Sequence, residues 1–236
     1  MQLNAEPLWG QALGTRLPPA SLTKLMTALL AQQHGELQQM VTVSATAAAM
    51  TGARLGLKAG QQISRQDLLT AMLLGSGNDA CVALAESIAG SEAAFVAQMN
   101  AAAARWHLSD TAFANACGFD DEQHYSSVRD LVRLTENVLA EPALKRLVGL
   151  SEARITVSGK SRVVKSSNAL LGRLPGAIGV KTGYTNKAGK CIIALTERNG
   201  VQVLAVFLNA PDRWWDLAAI IELAYREARL RASTAT

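Results

Sequence analysis

Apolar residues recur every three or four positions through the first half of the chain. In PPASLTKLMTALLA, residues 18–31, this spacing places the leucines on one face and predicts a helix from Ser21 to about Gln33. Ser64 with Asp67 three positions later is typical of a helix start. The same periodicity predicts helices over residues 64–74, 80–89, 91–107 and 127–139, with a short strand in MVTVS, residues 40–44. The middle of the chain is therefore predicted to be a helical cluster.

Near residue 152 the pattern changes to clustered or alternating β-branched residues. ARITVSG and SRVVKS predict a hairpin that turns at Gly159-Lys160. IGVKTGYT, KCIIALTE and VQVLAVFLN predict three more strands, and Asn199-Gly200 between the last two is a strong hairpin signal. A final helix is expected over residues 213–231. Helices gathered in the middle and antiparallel hairpins gathered late predict an α+β fold rather than alternating βαβ units.

Composition and charge disfavour several classes of protein. The 236 residues suffice for one large domain or two small ones, and no segment has the composition of an interdomain linker. The net charge is only +4, and the Lys and Arg residues are scattered rather than clustered into a stripe, which disfavours nucleic-acid binding. A mild positive charge suits a substrate with a free carboxylate.

Cysteine and histidine spacing indicates neither a metal site nor a disulfide scaffold. Cys81, Cys117 and Cys191 cannot all pair and show no CxxC spacing, so we expect small buried thiols. The histidines are isolated from one another: His34, His107 and His124. No apolar run approaches the roughly 20 residues of a membrane span, and the first residues lack the charged start and apolar centre of a signal peptide. We expect no metal and no membrane span.

Candidate chemistry begins with Ser21 and Lys24, which lie three positions apart at a predicted helix start. Serine becomes a good nucleophile only when a neighbouring group accepts its proton, and residues three apart on a helix share a face. The helix N-terminus would favour an alkoxide and lower the pKa of a nearby lysine. The alternative is an ordinary helix start in which Ser21 is the N-cap and Lys24 is solvated.

Two further motifs favour the catalytic interpretation. Ser76-Gly77-Asn78 lies in a tight turn between two predicted helices, and Lys181-Thr182-Gly183 lies on a predicted strand. The set SxxK, SDN and KTG is known from serine β-lactamases and penicillin-binding proteins, and here Gly77 replaces the Asp of the second motif. All three motifs occur here in the expected order and on the expected types of element.

With these motifs the chain resembles the serine D-alanyl-D-alanine carboxypeptidases, the low-molecular-mass penicillin-binding proteins. The likeness covers nearly the whole chain, through PPASLTKLMTALL, LLGSGNDACVALAE, SSNALL and IGVKTGYTNKAGKCI. It implies a β-lactamase/DD-peptidase-like α+β fold, in which a helical cluster packs on an antiparallel sheet and the active site lies in the cleft between them. We expect residues 1–236 to form a single catalytic domain, without the second all-β domain and amphipathic membrane anchor of many relatives.

The resemblance also implies catalytic roles. Ser21 would be the acylated nucleophile and Lys24 its general base. Ser76 and Asn78 would shuttle a proton and hold the amide of the substrate, and Lys181 would complete the electrostatics of the site.

A second group of residues would bind substrate. The hydroxyls of Thr182 and Thr185 would meet the terminal carboxylate, with a possible second contact from Arg213, and Gly183 would allow the substrate backbone to approach closely. The backbone amides of Tyr184 and of the nucleophilic serine would form the oxyanion hole.

The implied partners are peptidoglycan stem peptides that end in D-Ala-D-Ala, with β-lactams as covalent inhibitors and no cofactor. The implied location is periplasmic or otherwise extracytoplasmic.

Four alternatives remain at this point. The same groups would serve a DD-endopeptidase that cleaves cross-links. A serine β-lactamase of the class with an acidic deacylation loop is disfavoured, because the segment from Glu141 ends in Lys145 instead of asparagine. A dinucleotide site at residues 75–80, which match GxGxxA, is disfavoured, because it would require a preceding strand and the residues before it, DLLTAMLL, have helical periodicity. A peptidoglycan-binding module without catalysis would have no need to keep all five polar site residues together, although their presence does not prove turnover.

Overall fold

Two antiparallel sheets and eight helices make up the computed structural model, which describes residues 8–212 and 214–234. The helices are α1 (Lys24–His34), α2 (Ala45–Ala48), α3 (Arg65–Leu74), α4 (Asn78–Ala89), α5 (Glu92–Arg105), α6 (Val128–Ala140), α7 (Pro142–Val148) and α8 (Trp215–Thr234). The strands are β1 (Met40–Thr42), β2 (Gln62–Ser64), β3 (Glu152–Val157), β4 (Lys160–Lys165), β5 (Ala177–Thr185), β6 (Gly189–Arg198) and β7 (Val201–Ala210). The predicted α+β class is confirmed.

The late strands form the predicted hairpins but belong to two different sheets. One sheet has the order β1-β2-β3-β4, and the other has the order β5-β6-β7. The turn at Asn199-Gly200 joins β6 to β7, as expected, and both of its residues have positive φ. Strand β5 pairs only with β6, so its other edge faces the helical part of the molecule. This edge position leaves β5 accessible from the cleft.

Three short elements escaped the sequence analysis. Strand β2 has three residues, α2 has four and α7 has seven, and segments of this length show too few repeats of a hydrophobic period to be recognised. The longer helices agree with the predictions to within two residues at either end, except α1, which starts three residues late, and α8, which ends three residues late. Ser64 caps α3 as predicted, because its hydroxyl accepts a hydrogen bond from the Asp67 amide at 3.0 Å.

Helix α1 lies at the centre of the helical cluster. The pattern of its leucines predicted one apolar face, yet every residue from Lys24 to Ala31 is buried. Helices α3, α4, α5, α6 and α7 all contact it, so no side of its first two turns faces water. A second apolar cluster lies between α8 and the β5-β6-β7 sheet, where Leu217, Ile221 and Tyr225 pack on the sheet.

A disulfide joins Cys81 on α4 to Cys117, with the two Cα atoms 6.0 Å apart. The expectation of unpaired thiols is therefore wrong for these two cysteines. The third cysteine, Cys191, is buried on β6. The paired residues are 36 positions apart and belong to no spacing motif, so only the tertiary fold brings them together.

By length and composition, no single helix in the described ranges could cross a membrane, although α4 and α5, bent by 82° to each other, satisfy that test as a pair.

Reduction of the Cys81–Cys117 disulfide should destabilise the fold. A closed loop of 36 residues restricts the unfolded chain enough to raise the free energy of unfolding by about 4 kcal/mol. Urea unfolding of the protein with and without dithiothreitol should give a lower midpoint in the reduced sample. The double variant Cys81→Ser/Cys117→Ser is the control and should not respond to dithiothreitol. Equal midpoints for the oxidised and reduced protein would contradict this expectation.

Candidate active site

Ser21 lies in a single turn of 3-10 helix, Ala20–Thr23, that precedes α1. The sequence predicted α-helix from Ser21, but α1 starts only at Lys24. In a 3-10 turn, residues three apart eclipse one another, so the lysine lies directly over the serine. Ala20 has a φ of +49°, and a Cβ on Gly118 would lie 1.9 Å from the Ala20 carbonyl oxygen. The turn is therefore fixed by a close backbone contact that only glycine permits.

The amine of Lys24 is fully buried and contacts three oxygen atoms. Its Nζ lies 3.0 Å from Ser21 Oγ, 2.8 Å from Asn78 Oδ1 and 2.6 Å from the Cys117 carbonyl oxygen. None of the three partners is charged. Burial, and secondly the positive charge of Lys181, lower the pKa of Lys24 well below its ordinary value. The structure thus favours a neutral amine beside the serine hydroxyl.

The second motif lies between α3 and α4. Ser76 has a φ of +59°, a left-handed conformation that is strained for a residue with a Cβ. Asn78 is the first residue of α4, and its side-chain Nδ2 donates a hydrogen bond to the Thr51 carbonyl at 2.7 Å. This bond fixes the amide so that Oδ1 points to Lys24. Because a helix, α3, precedes the motif, the dinucleotide-binding interpretation of residues 75–80 is wrong.

Asp79 supports this motif and was missed by the sequence analysis. Its buried carboxylate accepts hydrogen bonds from the amides of Leu55, Gly56 and Leu57 at 2.8–2.9 Å. The same carboxylate accepts the amide of Ala80 at 2.9 Å. An acidic residue in the first turn of a helix is a known signal for a capping role, but the three loop amides come from a distant segment. Asp79 therefore ties residues 55–57 to the start of α4.

Lys181 reaches the second motif from strand β5. Its Nζ donates to Ser76 Oγ and to the Thr182 carbonyl, both at 3.0 Å, and the side chain is almost completely buried. Gly183, two residues later, passes close to the serine turn. A Cβ at this position would lie 3.1 Å from the Ser21 amide nitrogen and 3.2 Å from the Pro19 carbonyl oxygen. The glycine therefore lets β5 approach the backbone of Ser21.

The predicted substrate-binding residues differ in their surroundings. Thr182 Oγ1 lies 3.2 Å from Ser167 Oγ, and the ring of Tyr184 is 61% exposed. The hydroxyl of Thr185 donates to the carboxylate of Asp120, which sequence reasoning also missed. Arg213 lies outside the described residues.

His124 stabilises the serine turn through a hydrogen bond to Thr23. Ala114 N–H donates to its Nδ1 at 3.1 Å, so the neutral ring carries its proton on Nε2 and donates it to Thr23 Oγ1 at 2.7 Å. Burial lowers the pKa of His124 to about 4, although the charges of Asp121 and Asp120 oppose the shift. An isolated histidine gave no sequence signal for this position.

The site brings together residues from three distant segments. Ser21, Lys24 and Asn78 share one hydrogen-bonded group, and Ser76 and Lys181 share another. An α+β protein with a serine hydroxyl beside a buried lysine amine belongs to the class of active-serine proteins that use a Ser-Lys pair.

Comparison with known proteins defines the class further. The sequence profile of the family described as D-alanyl-D-alanine carboxypeptidase matches residues 8–212. The chain belongs to this family, which confirms the resemblance seen in the sequence.

Individual relatives agree in sequence and in fold. The chain is 34% identical to D-alanyl-D-alanine carboxypeptidase DacF of Bacillus subtilis (strain 168), over 86% of its own length. The crystal structure of the Streptomyces K15 DD-transpeptidase has a TM-score of 0.86 and 28% identity, covering 93% of this chain and 92% of that one. Penicillin-binding protein D2 of Listeria monocytogenes, in its ampicillin-bound form, has a TM-score of 0.83 and 29% identity, covering 94% and 93%. The β-lactamase/DD-peptidase-like fold is thereby confirmed. This chain spans 54% of the length of the Bacillus relative.

Because the unfolded chain binds a proton on histidine near pH 6.5 and folded His124 binds it near pH 4, acid should destabilise the protein. Between these values the unfolded state holds more protons, so the free energy of unfolding should fall by about 3 kcal/mol as the pH decreases from about 6.5 to about 4. Urea unfolding across this range should show a shallower fall for His124→Gln. His34→Gln, at an exposed position, is the matched control and should follow the wild type. An unchanged slope in His124→Gln would contradict the assignment.

Proposed function

We propose that this protein is a penicillin-binding serine DD-carboxypeptidase, which removes the terminal D-alanine from peptidoglycan stem peptides through an acyl-enzyme on Ser21. The observation that carries the proposal is the buried amine of Lys24, 3.0 Å from Ser21 Oγ and bonded only to uncharged groups. The single-domain organisation, the peptidoglycan and β-lactam partners and an extracytoplasmic location are parts of the same proposal.

The hydrogen bonds of Lys24 suit a general base. When the amine is neutral, its two N–H groups donate to Asn78 Oδ1 and the Cys117 carbonyl, which leaves its lone pair for the Ser21 hydroxyl proton. As Ser21 Oγ bonds to the carbonyl carbon of the penultimate D-alanine, that proton moves to Lys24. The ammonium then donates to all three of its oxygen neighbours.

Collapse of the tetrahedral intermediate requires a proton on the leaving amine. Ser76 and Lys181 suit this step, because Lys181 donates to Ser76 Oγ and so directs the serine hydroxyl proton away from itself. In our proposal the C–N bond of the substrate breaks as Ser76 gives its hydroxyl proton to the leaving nitrogen. The positive charge of Lys181 stabilises the negative charge that develops on Ser76 Oγ. The backbone amides of Ser21 and Tyr184 would hold the oxyanion. Transfer of the Lys24 proton to Ser76 returns both groups to their starting state. Water then gives a proton to Lys24 as it attacks the acyl carbonyl, and the bond to Ser21 Oγ breaks as that oxygen takes the proton back.

Recognition of the terminal carboxylate is assigned to Thr182, beside Lys181. Gly183 is assigned to the backbone of the substrate, which would approach β5 along the edge opposite β6. Thr185 was expected to contact the carboxylate directly. Its hydroxyl donates instead to Asp120, and a second carboxylate there would be repelled, so we assign Thr185 a positioning role. The role of Arg213 stays a prediction.

Support for β-lactam binding comes from the relatives. The Listeria protein named above was crystallised with ampicillin, and its chain is covered almost completely by this one. A β-lactam would acylate Ser21 in the same way, but its leaving group stays attached to the acyl-enzyme.

Acylation should depend on the Ser21 hydroxyl. Incubation with fluorescent penicillin should label the wild type with one adduct per chain, and Ser21→Ala should give none. Ser151→Ala, at an exposed serine, is the control and should label normally. With muropeptide pentapeptides, mass spectrometry should show the loss of one D-alanine. Cleavage of cross-linked dimers instead would identify an endopeptidase, and turnover of penicillin would identify a β-lactamase.

If an adduct also formed on Ser21→Ala, the nucleophile would be wrong. If neither protein formed an adduct or released D-alanine, a binding module without catalysis would replace the enzyme.

The pH dependence of acylation should follow Lys24. Because the neutral amine is the active form and its pKa is lowered, the acylation rate should rise with pH and level off well below the ordinary pKa of lysine. Lys181→Met removes the positive charge that contributes to the lowering, so the residual activity should rise at higher pH than in the wild type. Stopped-flow acylation across the pH range measures both midpoints. Lys187→Met, at an exposed lysine, should leave the midpoint unchanged, and a midpoint that does not move in Lys181→Met would contradict the coupling.

A further inference from the structure

The basic residues of the chain are concentrated in one segment that the site does not use. Residues 141–176 contain seven Lys and Arg against two Glu, a net charge of +5, whereas the whole chain has a net charge of +4. The other 200 residues therefore carry a net charge of −1. The description of these residues as scattered is wrong for this segment.

In the fold six of these seven residues lie on α7 and the β3–β4 hairpin, and Arg173 lies between β4 and β5. We call the following six residues the basic surface: Lys145, Arg146, Arg154, Lys160, Arg162 and Lys165. Five of them are exposed and Arg162 is half-buried. Within the described residues, none of the six lies within 4.0 Å of a carboxylate oxygen in an ion pair. Glu152 lies opposite Lys165 in the β3–β4 register, and with both Glu residues counted the segment keeps its net charge of +5.

The basic surface begins at the active-site cleft. The open end of the hairpin is closed by a hydrogen bond from Ser166 N to the Ser151 carbonyl at 2.7 Å. The next residue, Ser167, contacts Thr182 Oγ1 at 3.2 Å. From this point the six-residue strands extend about 20 Å to the turn at Gly159. The register places Arg154 and Lys165 on one face of the hairpin and Lys160 and Arg162 on the other, so basic side chains border both faces along this length. This length exceeds what one peptide terminus in the cleft would need.

Lys145 and Arg146 extend the basic surface to the first residues of β5. Together with Leu150 and Ile178 they line a groove of about 430 Å³. Ile178 lies three residues before Lys181 on the same strand. Charged side chains on β4 also discourage pairing with another chain, because β4 is an edge strand. That explanation does not extend to α7 or to Arg154 on β3.

We propose that the basic surface binds the polymer on which the cleft acts, through carboxylates of neighbouring stem peptides. This inference rests on the proposed function for the identity of the polymer. The charge of the surface is complementary to a chain of peptides with free carboxylates, and its continuity with the cleft favours the substrate polymer over an unrelated anion. The surface holds the polymer near the cleft and takes no part in acyl transfer.

The test separates polymer binding from catalysis. The hairpin variant is Arg154→Gln/Lys160→Gln/Arg162→Gln, in which all three substitutions lie away from the cleft. The wild type and this variant are first acylated with penicillin, and each is then sedimented with purified peptidoglycan sacculi. We expect about tenfold weaker binding by the variant and a fall in wild-type binding as the salt concentration rises. Acylation by penicillin and turnover of a soluble pentapeptide should be the same in both proteins. The matched control Lys58→Gln/Arg226→Gln/Arg229→Gln removes three exposed charges elsewhere and should bind like the wild type.

Three outcomes would overturn the proposal. Wild-type binding by the hairpin variant would show that the basic surface is not used, and an equal loss in the control would show that only net charge matters. Retention on phosphatidylglycerol vesicles without retention on sacculi would identify a membrane as the partner. The variant Arg154→Lys/Arg162→Lys keeps the positive charges and should bind sacculi normally. This result would show that the weaker binding of the Gln variant comes from lost charge and not from a folding defect. A failure of the proposed enzymatic function would appear separately, as absent penicillin labelling with intact binding to sacculi.

Discussion

A lysine amine buried without a counter-ion is the constraint on which the structure depends. Burial of a charged amine is costly, and here the three oxygen atoms around Lys24 Nζ are neutral, so the amine is stabilised as the uncharged base. The three oxygens come from the 3-10 turn, from the start of α4 and from the loop at Cys117. Helix α1 must therefore be enclosed on all sides, and this explains why a helix that starts at the active site is also the centre of the core.

The grouping of the candidate site residues could be predicted from the sequence because it depends on a few residues in fixed local arrangements. Ser21 and Lys24 lie within one turn, and KTG lies on one strand, so short motifs record these contacts. The spacing of apolar residues likewise predicted the long helices, and the Asn199-Gly200 turn predicted the hairpin of the last two strands. The supporting residues could not be read in this way. Asp79 reaches amides more than 20 positions away, and His124 is 101 positions from its partner Thr23, so no local pattern marks either contact.

The same distinction explains the errors in detail. The disulfide depends on a contact between α4 and a distant loop, and cysteine spacing alone gave no reason to expect it. The 3-10 start of the first helix depends on Gly118 packing on Ala20, which again is a tertiary contact. Thr185 was assigned from its motif, but its hydroxyl is already engaged by Asp120, a residue outside the motif.

The disulfide has a further consequence for how the protein tolerates change. Two of the three oxygens around the Lys24 amine belong to Asn78, three residues before Cys81, and to Cys117 itself. One covalent bond therefore sets the distance between these two oxygens, which lie on opposite sides of the Lys24 amine. The intervening residues, including α5, are not needed to hold these two oxygens apart, so substitutions in this stretch are expected to leave the surroundings of the Lys24 amine unchanged.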